Sequence, residues 1–185
     1  MDEYQILLDI VRQTFASVVW THKIQEKQAD IYNERCEFIE TANIVVVSVT
    51  ACGIVSLLFT DQFWIKIGAS LLSLATIAIS VYDKTFNLRD LGVQHKIAAN
   101  KLISIRNELL QIIAEIHVHK ESVETINSRY QEIAIKLSKV YSEIPTTTSK
   151  AVKRASDALK KNEEFTYSEE EIDRFLPPTL RGRLK

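Results

Sequence analysis

Between Ala42 and Val81 the chain reads ANIVVVSVTACGIVSLLFTDQFWIKIGASLLSLATIAISV, with Asp61 and Lys66 as its only charges. Thr60-Asp61-Gln62 divides this stretch into an uncharged run of 19 residues, Ala42 to Thr60, and a run of 20, Phe63 to Tyr82. At 1.5 Å per helical residue each run is long enough to cross a hydrocarbon core of about 30 Å. Peptide groups in lipid find no water, so each segment must satisfy its own hydrogen bonds. Helix is therefore expected even for the β-branched IVVVSVT. The alternative, a hairpin buried in a soluble domain, would need apolar surface to enclose two such helices, and the rest of the chain offers too little. A cleaved signal peptide does not fit either, because some forty polar and charged residues precede the first run, which leads into a second.

Bulk composition conceals this. The chain has 185 residues, a formal net charge of -1 and 46% hydrophobic residues, values typical of a soluble domain. With 23 basic and 24 acidic residues there is no basic excess for tracking phosphates, so no direct nucleic-acid binding is expected. Scarce glycine (4) and proline (3) point to long helices with few turns. Cys36 and Cys52 would lie about 24 Å apart along a helix, too far for a disulfide, and are read as reduced thiols.

Flanking charge sets the orientation. Lys23, Lys27 and Arg35 precede the first run, and Lys84, Arg89, Lys96 and Lys101 follow the second. The connecting turn has no basic residue, and Lys66 just inside the second run is the only one near it. Both termini are expected in the cytosol, with Phe63 and Trp64 at the outer interface and Tyr82 at the inner one.

The cytosolic parts also read as helix. From Leu88 a 3-4 spacing continues through Leu91, His95, Ala98, Leu102, Ile105, Leu109, Ile112, Ile116 and His119 to Ile144, broken in apolar character only by the two histidines. No Gly or Pro occurs between Gly92 and Pro145. The pattern predicts a coiled coil or a long bundle helix over 84–144. It forms either one rod of about 80 Å or a fold-back near His117–Ser122, where polar residues crowd together. Leu102, Ile105, Leu109, Ile112 and Ile116 form its expected seam. A looser stripe through 2–40 (Ile6, Leu7, Ile10, Val11, Phe15, Val18, Val19, Ile24, Ile31, Phe38) could pair antiparallel with it. The fold class is all-α: a two-transmembrane hairpin continued by long cytosolic helices in a coiled-coil-like stalk, with short C-terminal helices. Residues 1–144 make the main domain, with spans at about 42–60 and 63–82. Residues 145–185 form a linker, short charged helices and a basic tail. There, Ser149 is expected to cap a helix from Lys150 to about Lys161, and Ser168 with Glu171 signals a capping box on a second. The tail TLRGRLK either touches anionic headgroups or is a solvated terminus.

An N-terminal helix carrying VVWTHKIQEKQADIY, a two-span hairpin, and LISIRNELLQII on a long cytosolic helix together resemble the SLATT family, over roughly Ile6 to Ile144. The order of elements carries the resemblance, with Trp20, His22, Lys23, Glu26 and Lys27 before the hairpin and Leu102, Arg106 and Leu109 after it. The resemblance implies a two-span effector of bacterial conflict systems in the inner membrane, which oligomerises and opens a pore or otherwise breaches the bilayer when a partner signals infection. The implied partners are cyclic-oligonucleotide synthases and related sensors, or reverse-transcriptase (retron-like) components. No sensor domain is evident in this chain, so the trigger is expected from another component.

The residues themselves leave the role of the second span open. Lys66, Ala69, Ser70, Ser73, Thr76, Ile77 and Ser80 share an arc of about 120° on a helical projection. Lys66, Ser70, Ser73, Thr76 and Ser80 are the pore-lining candidates, yet small and hydroxylated residues are equally what tight packing in lipid requires. Lys66 lies about 6 Å inside the interface, so it can snorkel outward, and Asp61 could pair with it. Catalysis is not expected. His22, His95, His117 and His119 fit no metal-binding spacing, there is no P-loop, GxGxxG or GxSxG, and no cofactor or metal is called for. His95 and His119 are instead expected to be polar members of the seam. Two function classes stand: a pore-forming effector, and a membrane-anchored scaffold whose coiled coil docks a cytosolic partner.

Overall fold

The computed structural model describes residues 3–56, 62–119, 121–177 and 181. These form six helices and, among them, no strand: α1 Glu3–Ser56, α2 Phe63–Phe86, α3 Leu88–His117, α4 Val123–Glu143, α5 Ser149–Lys160 and α6 Glu169–Phe175. The turn at Thr60 and Asp61, the Asp61 pairing with Lys66, and the tail apart from Arg181 lie outside the described residues.

The polar N-terminal segment and the first span are not two elements but one. With no Gly before Gly53 and no Pro before Pro145, nothing interrupts the ladder where polar sequence gives way to apolar at Ala42, and α1 runs for 54 residues, about 80 Å. The second span and the stalk, by contrast, are divided at a single residue. Asn87 takes the left-handed conformation (φ 41, ψ 52), and its N–H donates to the Asp83 carbonyl at 3.0 Å. Asparagine tolerates this region better than most residues with a side chain. One such residue ends α2 and re-aims α3 down the flank of α1. The two helices approach closely there: a Cβ on Gly92 would meet Asn33 Oδ1 at 2.7 Å.

Below the membrane, α3 folds back. Val118 closes α3, His119 turns with φ 47, and Ser122 Oγ caps α4 by accepting from the Thr125 N–H. Tyr4 near the start of α1 fastens this turn, donating its hydroxyl to the Glu121 carbonyl at 3.0 Å with its ring edge-on to His119 at 4.5 Å. His119 is therefore an exposed turn residue and not a seam member, because the chain reverses before it can point inward. The stalk is a three-helix bundle whose core joins Leu7, Val11 and Val18 of α1 to Leu102, Ile105, Leu109, Ile112 and Ile116 of α3 and Ile126, Ile133 and Leu137 of α4. Ile6, Ile10 and Phe38 of the N-terminal stripe stay exposed, since α1 offers more apolar residues than its neighbours can cover.

The C-terminal segment returns to α1. Thr148 caps α5 through the Ala151 N–H; the expected Ser149 is instead its first residue, because Thr148 holds the extended conformation (ψ 156) that an N-cap needs. Ser168 and Glu171 make the complete capping box on α6. The cysteines are free.

Candidate functional site: the membrane hairpin and the polar joint beneath it

Within each apolar stretch only 6% of the residues are buried by the fold. Ile44, Val45 and Ile54 on α1 and Leu71, Leu74 and Ile77 on α2 are 53–66% exposed. Leaving these six in water would forfeit about 1 kcal/mol or more apiece, of order 6–9 kcal/mol together. That is comparable with the whole stability of a typical domain. Core helices of soluble proteins bury such residues; these helices present them on nearly every side, as lipid-facing helices do.

The hairpin closes on small residues. Gly53 faces Ala69, where an added Cβ would come within 3.9 Å of the Ala69 Cβ, and Ala69 is buried. Beside this crossing runs a groove of about 300 Å3 lined by Val47, Thr50, Ala51, Ile54, Ser73, Thr76 and Ile77. The structure thus divides the hydroxylated arc of the second span. Ser73 and Thr76 are half-buried and turn toward α1, whereas Lys66, Ser70 and Ser80 are exposed. Three of the hydroxyls bond back to their own helix: Ser70 to the Lys66 carbonyl (2.9 Å), Ser73 to Ala69 (2.9 Å) and Thr76 to Leu72 (3.0 Å). Donors satisfied in this way can face lipid, a groove or a neighbour without a further partner. On the first span Asn43 Oδ1 is buried and finds no partner among the described residues. Phe63 and Trp64 meet edge-to-face at 5.9 Å at one end of α2, and Tyr82 packs on Phe86 at 4.5 Å at the other.

Midway between membrane and fold-back, the three-helix core gives way to polar groups. His22, Lys23, Gln25 and Gln28 of α1 and His95 of α3 are all at most 3% exposed. His22 Nδ1–H donates to the Ala99 carbonyl (2.9 Å). His95 Nδ1–H donates to Gln25 Oε1 (2.5 Å), and Gln25 Nε2 donates to the Pro145 carbonyl (3.0 Å), so one chain of hydrogen bonds links α3, α1 and the linker. Gln28 Oε1 accepts from both the N–H and the hydroxyl of Thr148, each at 2.8 Å. The Lys23 ammonium donates to Glu26 and to Glu164, each at 2.8 Å, and lies 4.1 Å from the centre of the Phe165 ring. The Arg106 guanidinium stands over the same ring at 5.1 Å, and Lys27 reaches Glu164 at 3.4 Å.

Electrostatics follow from this enclosure. Burial lowers both His22 and His95 below the usual histidine range; for His22 the Ala99 carbonyl and Glu26 oppose the shift without reversing it. Burial would lower Lys23 as well, but hydrogen bonds to Glu164 and Glu26 outweigh it and raise the ammonium above its ordinary value. Glu164 is lowered, chiefly by the hydrogen bond from Lys23. Glu26 is also lowered, the Lys23 hydrogen bond and charge overcoming burial.

Each residue that carries the family resemblance converges here or just below. Trp20 lies under α5, His22, Lys23, Glu26 and Lys27 form the joint, Arg106 covers Phe165, and Leu102 and Leu109 are fully buried in the adjoining core. Ile105, Ile112 and Ile116 are buried there too. Sequence reasoning passed over Gln25, Gln28, Thr148, Glu164 and Phe165. The uncharged polar Gln25 and Gln28 on the inward face of α1 were a usable signal. The tail residues gave none, because their docking is a long-range event.

The sequence model of the SMODS and SLOG-associating 2TM effector domain, family 4, matches residues 7–171, running past Ile144 through the linker and α5 into α6. No curated protein and no solved structure matches the chain. With an all-helical fold, two lipid-exposed spans and a family match over most of its length, the chain belongs to the SMODS and SLOG-associating two-transmembrane effector domains.

Proposed function

We propose that this protein is the membrane-embedded effector of a bacterial antiphage system, and that on triggering it oligomerises and breaches the inner membrane, with both termini in the cytosol. The trigger comes from a separate sensor, a cyclic-oligonucleotide synthase or a reverse-transcriptase component. The observation carrying this reading is the pairing of a lipid-exposed hairpin with a stalk that continues its first span as unbroken helix. A rearrangement of α1 in the cytosol has a continuous helical path into the bilayer. Lys66, Ser70 and Ser80, exposed on α2, are polar side chains able to face an axis shared between protomers. Ser73 and Thr76 join them only if the hairpin loosens. A ring of lysines at the mouth would select ions by sign.

Ion flux across liposomes containing the purified protein and its trigger tests this directly. Flux is expected on oligomerisation, with the preference between anions and cations altered by Lys66→Glu. Correctly assembled oligomers that pass no ions and release no entrapped dye would refute it. The scaffold reading has one observation in its favour: Ser73 and Thr76 face α1 within a single hairpin, as an anchor alone would require. Assembled but non-conducting protein would establish that reading instead.

A further inference from the structure

Three helices pack on the cytosolic half of α1, and they hold it by different means. α3 and α4 present Leu and Ile to it. α5 buries only methyl groups, from Ala151, Ala155 and Ala158, while its other residues include Lys150, Lys153, Arg154, Asp157 and Lys160, whose ammonium stands 5.6 Å from the centre of the Trp20 ring. Apart from the Phe165 ring against Lys23 and Arg106, the remaining fasteners of this segment are polar: Gln28 with Thr148, Gln25 with the Pro145 carbonyl, Glu34 with Arg154 through two bonds of 2.6 and 2.8 Å, and Lys23 with Glu164. Water can replace each of these bonds, whereas it cannot replace the packing of an isoleucine. Its buried apolar groups are three alanine methyls, with the Phe165 ring half-buried, so little apolar burial opposes its local opening. Release strands no charge, since Lys23 then meets water and keeps Glu26. Ile144 and Thr148 are both extended (ψ 139 and 156), so the segment can swing away without unwinding α4.

What it covers differs in kind from what it is made of. Trp20, Ile24 and Ile31 form an aliphatic and aromatic stripe on α1 at helical spacing. Lys23, Glu26, Lys27 and Asp30 flank that stripe with two charges of each sign, so an identical helix brought against it meets opposite charges as well as like ones. Ile31 lies about 16 Å below Ala42 on the same unbroken helix, so two copies joined there in parallel bring their first spans side by side. We propose that residues 145–165 are a removable cover, and that the stripe beneath, Trp20, Ile24 and Ile31, is the surface on which a second copy of this chain docks. This rests on the effector reading, for which it supplies the regulation: the closed cover keeps the chain monomeric, and the trigger acts by displacing it.

The test uses the full chain in detergent micelles and liposomes, with Cys36→Ala and Cys52→Ala. Glu34→Cys with Arg154→Cys removes the ion pair that fastens α5, and a short bismaleimide then bridges the same two positions. Before bridging, amide exchange in residues 149–160 should quicken and association should occur at tenfold lower concentration than in the parent. After bridging, both changes should reverse. Ile24→Asp in the unbridged protein should abolish association while helical content is retained. The inference is overturned if exchange quickens with no change in association, if the bridged protein associates as the unbridged one does, or if Ile24→Asp still associates. Unbridged protein that associates but passes no ions supports the docking surface and removes the effector reading.

Discussion

Lys23 is 2% exposed and has two carboxylate partners, one of them on a segment 141 residues away. Deleting one partner of a buried pair typically costs about 3–5 kcal/mol because a charge is left uncompensated. Two features reduce that figure for Glu164→Ala. The Glu164 side chain is 32% exposed and so partly solvated, and Glu26 stays 2.8 Å from the ammonium. A loss of about 1–2 kcal/mol is expected. Lys23→Met removes the charge and keeps the stem, which packs beside Phe165. In that background Glu164→Ala should cost less than about 0.5 kcal/mol, as for an ordinary surface residue. The double-mutant cycle should therefore give a coupling near 1 kcal/mol. Denaturant titration of the four proteins in one detergent, read by Trp fluorescence, measures it. At about 2–4 °C per kcal/mol in a domain of this size, Glu164→Ala alone should lower the melting temperature by a few degrees. A coupling of zero within error would refute the view that the tail carboxylate neutralises this lysine.

Three further outcomes follow from the fold. Leu109 is fully buried in the stalk core, so Leu109→Ala should cost about 2–5 kcal/mol by thermal melting; a cost under 1 kcal/mol would mean that the α3 register is wrong. His22 and His95 are held below their unfolded value of 6.5, so the unfolded chain binds more protons than the folded one just below that pH. Stability should hold above pH 6.5 and fall as pH drops through 6.5 toward the lowered folded values, and His95→Gln should flatten the melting-temperature profile between pH 7.5 and 5.5. At Asn87, where φ is 41, a valine should cost more than 1 kcal/mol and a glycine close to nothing; equal melting temperatures for the two variants would show that no left-handed residue is needed there.

The sequence alone was enough for the parts governed by local physics. Two apolar runs of about twenty residues, with Lys66 as their only charge, can only be satisfied as helices in lipid, so the hairpin was readable from Ala42 to Tyr82. The 3-4 spacing located the buried face of α3, because every third or fourth residue of a helix shares a face whatever it packs against. The Ser168–Glu171 box was readable because a cap acts within one turn. What the periodicity could not say was where the helices bend. The pattern through His119 continues unbroken where the chain reverses, and only the crowding of polar residues at His117–Ser122 marked that fold-back; the polar-to-apolar boundary at Ala42 looks like an element boundary but is none. Nor could it split the arc of the second span: Ser73 and Thr76 turn toward α1 while Lys66, Ser70 and Ser80 do not, a distinction set by how the two helices cross at Gly53 and Ala69. The polar joint was the least legible feature. His22 and Lys23 look like solvated positions on a charged helix, and only the uncharged Gln25 and Gln28 beside them hint otherwise. They are buried because Thr148, Glu164 and Phe165 arrive from the far end of the chain, and a hydrogen bond or ion pair between residues so far apart leaves no trace in the local pattern of either.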